Sequence, residues 1–367
     1  MPAPFFYHPR MLGYDFGPQH PLKPERLRRT IQLLERYGIE PIDPGEGDPA
    51  DAERMHSPEY VRAVRHLSHS IVEHACQIER SEWIQFGMPF GFGSGDNPPF
   101  AGMFEASLAY LAGTVEAAKR VLDGAPLAFN LSGGLHHGQE AKASGFCIFN
   151  DPAIAVHILK PKFQRVAYVD IDLHHGDGVQ WLWYDDPEVL TYSIHQDPRA
   201  FYPGTGFVHE TGAAFTSVNV PLAPGTTGEV WLDAFERTAL PALERFQPGA
   251  IVLQMGTDAH FMDPLGHLEA SAQDWLEAVV RIRDLGLPTV AVGGGGYNLK
   301  TVPRMWASAV LTLERMEYEY AVPKDLAEEW AMPTYRDEDP PRGKGAHVAN
   351  SVVEWLTENS IPKIGLL

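Results

Sequence analysis

Residues 165–178 read RVAYVDIDLHHGDG. The first half is apolar and β-branched, the pattern of a strand buried on both faces. The second half crowds Asp170, Asp172, Asp177, His174 and His175 into eight residues. Working outward, runs at 125–131, 189–194, 250–255 and 289–292 also read as short buried strands. Longer amphipathic stretches, such as 103–122 and 275–285, alternate with them. That order predicts an α/β protein with a parallel sheet covered by helices on both faces. The loops that follow these strands, at 133–138, 172–178, 195–206, 256–263 and 293–297, are all rich in Gly, His, Asp or Tyr. In open parallel sheets ligands gather beyond the carboxyl ends of the strands, so the site belongs there.

Composition sets outer bounds. The 367 residues are 44% hydrophobic and 21% charged, an ordinary globular balance. No internal repeat or low-complexity linker divides the chain, so residues 1–367 are read as one domain, with 318–367 wrapping its surface. A formal net charge of −19 argues against nucleic acid as a partner, which needs clustered Lys and Arg, and favours cationic substrates. Two cysteines, Cys76 and Cys147, are too few for a disulfide framework. No long apolar run suggests a signal peptide or a membrane span, so a soluble cytoplasmic protein is expected, without a membrane partner.

Chemistry concentrates in four segments. Asp172 and His174 are alternate residues, which in an extended chain leave the same face. One carboxylate oxygen and one imidazole nitrogen suit a transition metal better than calcium or magnesium. A catalytic zinc site needs a third protein ligand and an open position. Asp258, in QMGTDA at 254–259, follows another strand and is the candidate third ligand. His136 and His137, in LHHG, titrate near neutrality and suit general acid or base work. Tyr297, after GGGG at 293–296, offers a phenol to a developing oxyanion beside flexible backbone. Alone, each short motif is weak; together they describe a hydrolytic metal site.

In order along the chain, LSGGLHHGQEAKASGFCIFND (131–151), YVDIDLHHGDG (168–178), FYPGTG (201–206), QMGTDAH (254–260) and GGGGYN (293–298) resemble the histone deacetylase superfamily. The likeness runs from HPLKPERLR at residue 20 to about Trp306. Its TDAHFMDPLGHL segment looks most like the prokaryotic acetoin-utilisation deacetylases. The resemblance implies the arginase/deacetylase fold, a three-layer α/β/α sandwich with a mostly parallel sheet of about eight strands. It implies a metal-dependent hydrolase of linear amide bonds that converts N-acyl amides, acetyl-lysine in proteins above all, to acetate and free amine. By this likeness Asp172, His174 and Asp258 hold Zn2+, a set that also accepts Fe2+. His136 and His137 become the tandem catalytic histidines, oriented by Asp170 and Asp177, with His137 the base. Tyr297 becomes the oxyanion donor. Asp96 matches a rim aspartate that binds substrate backbone, and Gly145, Phe146, Tyr202 and Leu265 match the walls of a narrow channel. Tyr202 stands where many relatives have phenylalanine, which makes that wall more polar. Arg26 matches an arginine lining an internal cavity beyond the metal. Structural K+ is implied at Asp170, Asp172, His174, Ser193 and Ile194, with a second site at Trp183, Asp186, Val189 and Thr216. Prokaryotic relatives often assemble, which leaves a homo-oligomer open.

Three rivals differ in what they require. An arginase-like hydrolase with two manganese ions needs further bridging carboxylates, and two residues after Asp258 stands His260. An acetylpolyamine amidohydrolase favours an acidic gate where this chain has Leu265. A non-catalytic acyl-lysine binding module would be expected to lack a ligand, a histidine or the tyrosine, and none is missing.

Overall fold

The computed structural model describes residues 2–71, 80–93 and 95–366; Cys76 lies outside them. Six strands form the sheet: β1 (Leu127–Asn130), β2 (Val166–Asp170), β3 (Val189–Gln196), β4 (Ser217–Leu222), β5 (Ala250–Gln254) and β6 (Thr289–Val292). Their order is β1-β6-β5-β2-β3-β4, and every pairing is parallel.

Successive residues of each strand enter different cores, as the two-residue period of a strand demands. Ala167 and Val169 of β2 face one core with Leu253 and Ala291; Val166 and Tyr168 face the other with Val252 and Val290. On the second face lie helices Met103–Leu122 and Asp151–Phe163. The first face is covered by Glu25–Glu35, Gly228–Phe246, Ala272–Asp284, Thr301–Leu313 and Ala346–Asn359. Both faces are therefore dry, which is why β2 reads as a nearly continuous apolar run. Trp231, Trp275 and Trp306 are fully buried in the first core.

Two expectations need correction. The sheet has six strands among the described residues, against about eight expected. Phe5 and Phe6 reach Phe129 and Ile42 only through single bridges, and the neighbouring Pro4 and Pro41 bring no N–H to a ladder. Conversely, β4 was absent from the strands read in the sequence. Its SVNVPL alternation is short and carries Pro221, a residue that strands tolerate at a sheet edge, where β4 lies.

The carboxyl-terminal segment adds to the first core rather than merely coating it. Val322, Leu326, Trp330, Tyr335, Val353 and Leu356 are all buried there.

The strand order places the chemistry. From β2 the chain moves outward to β3 and β4, then returns to lay β5 on the other side of β2. The loops after β2 and β5 thus diverge at a topological switch point, where doubly wound sheets open a crevice. No helix among the described residues is long and apolar enough to cross a membrane.

Candidate metal and catalytic centre

Beyond Asp170 the chain bends instead of continuing as strand, contrary to the extended conformation read from the sequence. Asp170 Oδ1 accepts from the amide of Asp172 (3.0 Å), and Asp172 Oδ1 from that of His174 (3.0 Å). Two successive Asx turns of this kind fold the loop back on itself. Asp258, from the loop after β5, accepts the Leu173 amide on Oδ1 (2.9 Å). Its Oδ2 lies 3.1 Å from His174 Nδ1, and Asp172 Oδ1 lies 3.3 Å from the same nitrogen. The ligand atoms of Asp172, His174 and Asp258 all fall within 4.8 Å of one another, and all three residues are buried.

This donor set fits a divalent transition metal. Two buried carboxylates face each other with no Lys or Arg paired to either among the described residues. Burial opposes charge on His174, yet hydrogen bonds to Asp172 and Asp258 drive its imidazole up to about 10. The buried cluster lacks a matching positive charge, which a metal cation held there would supply.

The GGGGY backbone is pressed against the site, not flexible as expected. Gly295 N donates to Asp172 Oδ2 (2.7 Å), and a Cβ on Gly295 would come within 2.1 Å of Asp258 Oδ2. Arg26 Nη1 clamps the carbonyls of Gly294 (2.9 Å) and Gly296 (2.8 Å) while its guanidinium lies over Trp306. Arg26 also lines the small cavity of the site itself, which it shares with His136, His137, Phe146, Asp172 and Tyr297. Close approach at Gly295, together with the positive φ of Gly294 (+149) and Gly296 (+131), explains the glycines.

The tandem histidines meet edge to edge, Nε2 to Nε2, at 3.0 Å. His136 Nδ1 donates to Asp170 Oδ2 (2.8 Å), and His137 Nδ1 donates to Asp177 Oδ1 (2.5 Å). Burial works against charge on His136, but Asp170 and Asp172 outweigh it and raise it to about 9. Burial and the facing charge of His136 push His137 well below its ordinary value. The pair therefore shares one positive charge, held on His136, and leaves His137 neutral. Burial lifts Asp177 to about 7 against the pull of His136, and raises Asp170 as well.

Tyr297 reaches the site from the loop after β6. Burial and the carboxylates of Asp258 and Asp172 hold its phenol well above the usual range, so it remains a donor. Its ring packs edge-on against Phe146 at 5.7 Å. Gly145 has φ +48, and a Cβ there would sit 2.3 Å from His137 Cδ2. Phe146 adopts φ +67, a conformation rare for a bulky residue. Tyr202 stands edge-on to His137 at 5.0 Å, its hydroxyl 2.5 Å from Ser144 Oγ, while Phe201 stacks on His174 at 5.1 Å. Leu265 is half-buried and Asp96 exposed; the carbonyl of Asp96 accepts from His20 Nε2 (3.3 Å).

The remaining expected positions divide. Ser193 lies beside Asp170 in the β2–β3 register, and its hydroxyl meets His195 Nδ1 at 2.8 Å; Ile194 is buried in the same strand. Trp183, Asp186 and Val189 form the turn entering β3, and the Thr216 carbonyl accepts from Thr191. The Asp186 side chain pairs with Lys160. His175 turns away from the metal ligands to Thr205 and Gln180. His260 points away too, at Asp337 (3.0 Å) and Arg304, which removes any bridging role for the position two residues after Asp258.

Several supporting residues went unread in the sequence. Gln254 Nε2 donates to Asp172 Oδ2 (2.8 Å). The Tyr168 hydroxyl donates to Asp170 Oδ2 (2.7 Å). Asn150 Nδ2 holds the carbonyls of His136 and Gly138, and Asp151 takes the amides of Gly134 and Leu135. Gln139 ties Asp177 Oδ2 to the His137 carbonyl. Asn150-Asp151-Pro152 at a helix start is a readable capping signal, but what its side chains support at the other end is not.

Comparison with known proteins agrees with this geometry. The family model described as histone deacetylase domain matches residues 20–313. The chain is 36% identical over 341 residues to the acetoin utilization protein AcuC of Bacillus subtilis, covering 89% of this chain and 86% of that protein. Histone deacetylase 9 of Arabidopsis thaliana is 33% identical over 354 residues, covering 94% and 80%. Histone deacetylase B of Dictyostelium discoideum is 36% identical over 313 residues, covering 82% and 71%. With the site at the switch point and four-fifths of its length matched, the chain belongs to the histone deacetylase domain family and is a metal-dependent hydrolase of amide bonds.

Proposed function

We propose that this protein is a single-metal deacylase of acetyl-lysine in proteins or peptides, with residues 1–367 forming one catalytic domain. The observation that carries the reading is the convergence of two differently charged histidines, a neutral phenol and the Asp172–His174–Asp258 cluster at one strand edge. A divalent ion there, zinc or ferrous iron, would polarise the acyl carbonyl and acidify water.

The chain's own groups do the rest. His137, kept neutral, takes a proton from the attacking water, and Asp177 fixes its tautomer through Nδ1. His136 holds its charge against Asp170 and stabilises the developing negative charge. Tyr297 donates to the tetrahedral oxyanion, an interaction worth about 3–4 kcal/mol in comparable sites. The proton gathered on the histidines passes to the leaving amine, giving acetate and a free amine. Gly145, Phe146 and Tyr202 enclose the acylated chain, and Asp96 at the rim accepts from substrate backbone.

Leu265 supports acyl-lysine over an acetylpolyamine, because the nearby acid, Asp263, spends both oxygens on backbone amides and cannot serve as a gate. Structural K+ is assigned to Asp170, Asp172, His174, Ser193 and Ile194, with Trp183, Asp186, Val189 and Thr216 as a second position.

Turnover of an acetyl-lysine peptide and an acetylpolyamine, with metal analysis on the same preparation, tests the reading. The peptide is expected to be hydrolysed at one metal per chain, activity to vanish on chelation, and Tyr297→Phe to lose roughly 10²–10³ in kcat. Equal inactivity of wild type and Tyr297→Phe with metal bound would sink the deacylase reading for that substrate.

A further inference from the structure

Asp263 is buried in the loop after β5, and the catalytic groups described so far make no use of it. Its two carboxylate oxygens serve two different pieces of backbone. Oδ2 accepts the amide of Tyr297 at 2.7 Å, and Oδ1 accepts the amide of Leu265 at 3.0 Å. A second tie joins the same loops, from Asn298 Nδ2 to the Met262 carbonyl at 2.9 Å.

The choice of residue is informative. Two N–H donors converging on one side chain need an acceptor at each end, which a carboxylate offers and an amide does not. The cost is a third acid near Asp172 and Asp258, where burial and Asp258 push Asp263 up to about 7. A structural need for two acceptors seldom justifies another buried acid beside two more. Meanwhile the Tyr297 hydroxyl has no hydrogen-bond partner among the described residues, and its ring has one aromatic neighbour, Phe146. The Asp263 anchor is therefore the tie made at Tyr297 itself, beside the Arg26 clamp on the glycines before it.

We propose that Asp263 is a positioning residue for catalysis: it locks Tyr297 in reach of the oxyanion and couples that placement to Leu265 on the channel wall. This rests on the reading of Tyr297 as oxyanion donor. Preorganised donors act only when fixed to within about 0.5 Å, so a slack anchor costs rate more than substrate affinity.

A double-mutant cycle on the metal-loaded enzyme tests it, with an acetyl-lysine peptide and rates normalised to bound metal, so that unfolded protein does not enter kcat. Asp263→Asn is expected to lower kcat about tenfold with KM nearly unchanged, and Asp263→Glu, which keeps both acceptors, to recover part of the loss. In the Tyr297→Phe background Asp263→Asn should cost nothing further, because the group it positions is gone. Independent, multiplicative losses in the double variant overturn the proposal, as does a rise in KM with kcat intact. Wild-type rate in Tyr297→Phe alone overturns the reading of Tyr297, and the proposal with it. If Asp263→Asn holds no metal, the same cycle with Asp263→Glu decides between these outcomes.

Discussion

The proton shared by His136 and His137 shows how much a single neighbour decides. Two adjacent imidazoles of the same chemistry differ in charge because Asp170 and Asp172 outweigh burial at His136, while at His137 burial and the cationic His136 prevail over Asp172. His137 is already neutral throughout the physiological range, so its readiness to accept a proton imposes no limb near neutrality. His136 keeps its charge until pH rises through about 9, and a metal cation on Asp172 weakens one of the carboxylates that hold it. The profile of kcat/KM should thus rise through about pH 7 as Asp177, which orients His137, ionises, and fall on the alkaline side at or below about pH 9. Steady-state rates from pH 6 to 10 check this; a profile that still climbs at pH 9 contradicts the assignment. The sequence offered HHG as a pair with no means of telling its members apart, since the difference lies in residues thirty and more positions away.

At the scale of elements, loops rather than strands carry the chemistry, and helix starts hold the loops. Helix Asp151–Phe163 begins with Asn150, whose Oδ1 caps the Ala153 amide at 3.0 Å while its Nδ2 grips the His136 and Gly138 carbonyls. The cap and the catalytic loop thus share one side chain. Asn150→Ala is expected to cost about 1–2 kcal/mol for the cap, and to lower kcat as well because the histidine loop loses its tether. Urea unfolding and steady-state kinetics on the same variant would show both; a stability loss with kcat untouched would separate the cap from the site. The strands that carry the site, β2 and β5, were readable from their apolar runs, and helix 103–122 from its length and periodicity. Edge strand β4 was not, because a proline-bearing alternation of six residues carries little signal without the partner strand that pairs it.

For the whole molecule, acid is the informative perturbant. His56 and His195 are fully buried, and burial pulls both down to about 4. His56 accepts the Asn150 amide on Nε2 and donates from Nδ1 to the Gln139 carbonyl, so its neutral form is built into the loop that carries the tandem histidines. The unfolded chain binds protons at these histidines from about pH 6.5 downward, whereas the folded one does so only near 4. Their stabilisation is complete above pH 6.5 and is lost as pH falls toward 4, by roughly 3 kcal/mol for each. Asp337, held well below the usual carboxylate range against burial by His260 and Arg304, contributes in the same direction. Chemical denaturation at pH 7.5 and pH 4.5 should show the midpoint dropping sharply; a constant midpoint would contradict the buried neutral histidines. Asp337 also explains why the carboxyl-terminal segment is part of the fold. It accepts from His260, Arg304 and the Ala272 amide, and so ties that segment to the loop that bears Asp258.

The sequence by itself determined the alternating α/β architecture, the sheet edge where the candidate ligands gather, and which residues are the candidates for metal binding and catalysis. Those signals are local, since strand periodicity, turn residues and ligand spacing all span a few positions. Tertiary structure alone decided the order β1-β6-β5-β2-β3-β4, which sets Asp258 opposite Asp172. It also decided which histidine carries the charge, and that GGGG is a close contact instead of a hinge. Asp263 belongs to the same class, because the backbone amides it holds come from two loops more than thirty residues apart for the Tyr297 bond. Such contacts depend on how strands are ordered and helices packed, and a one-dimensional pattern does not carry that information.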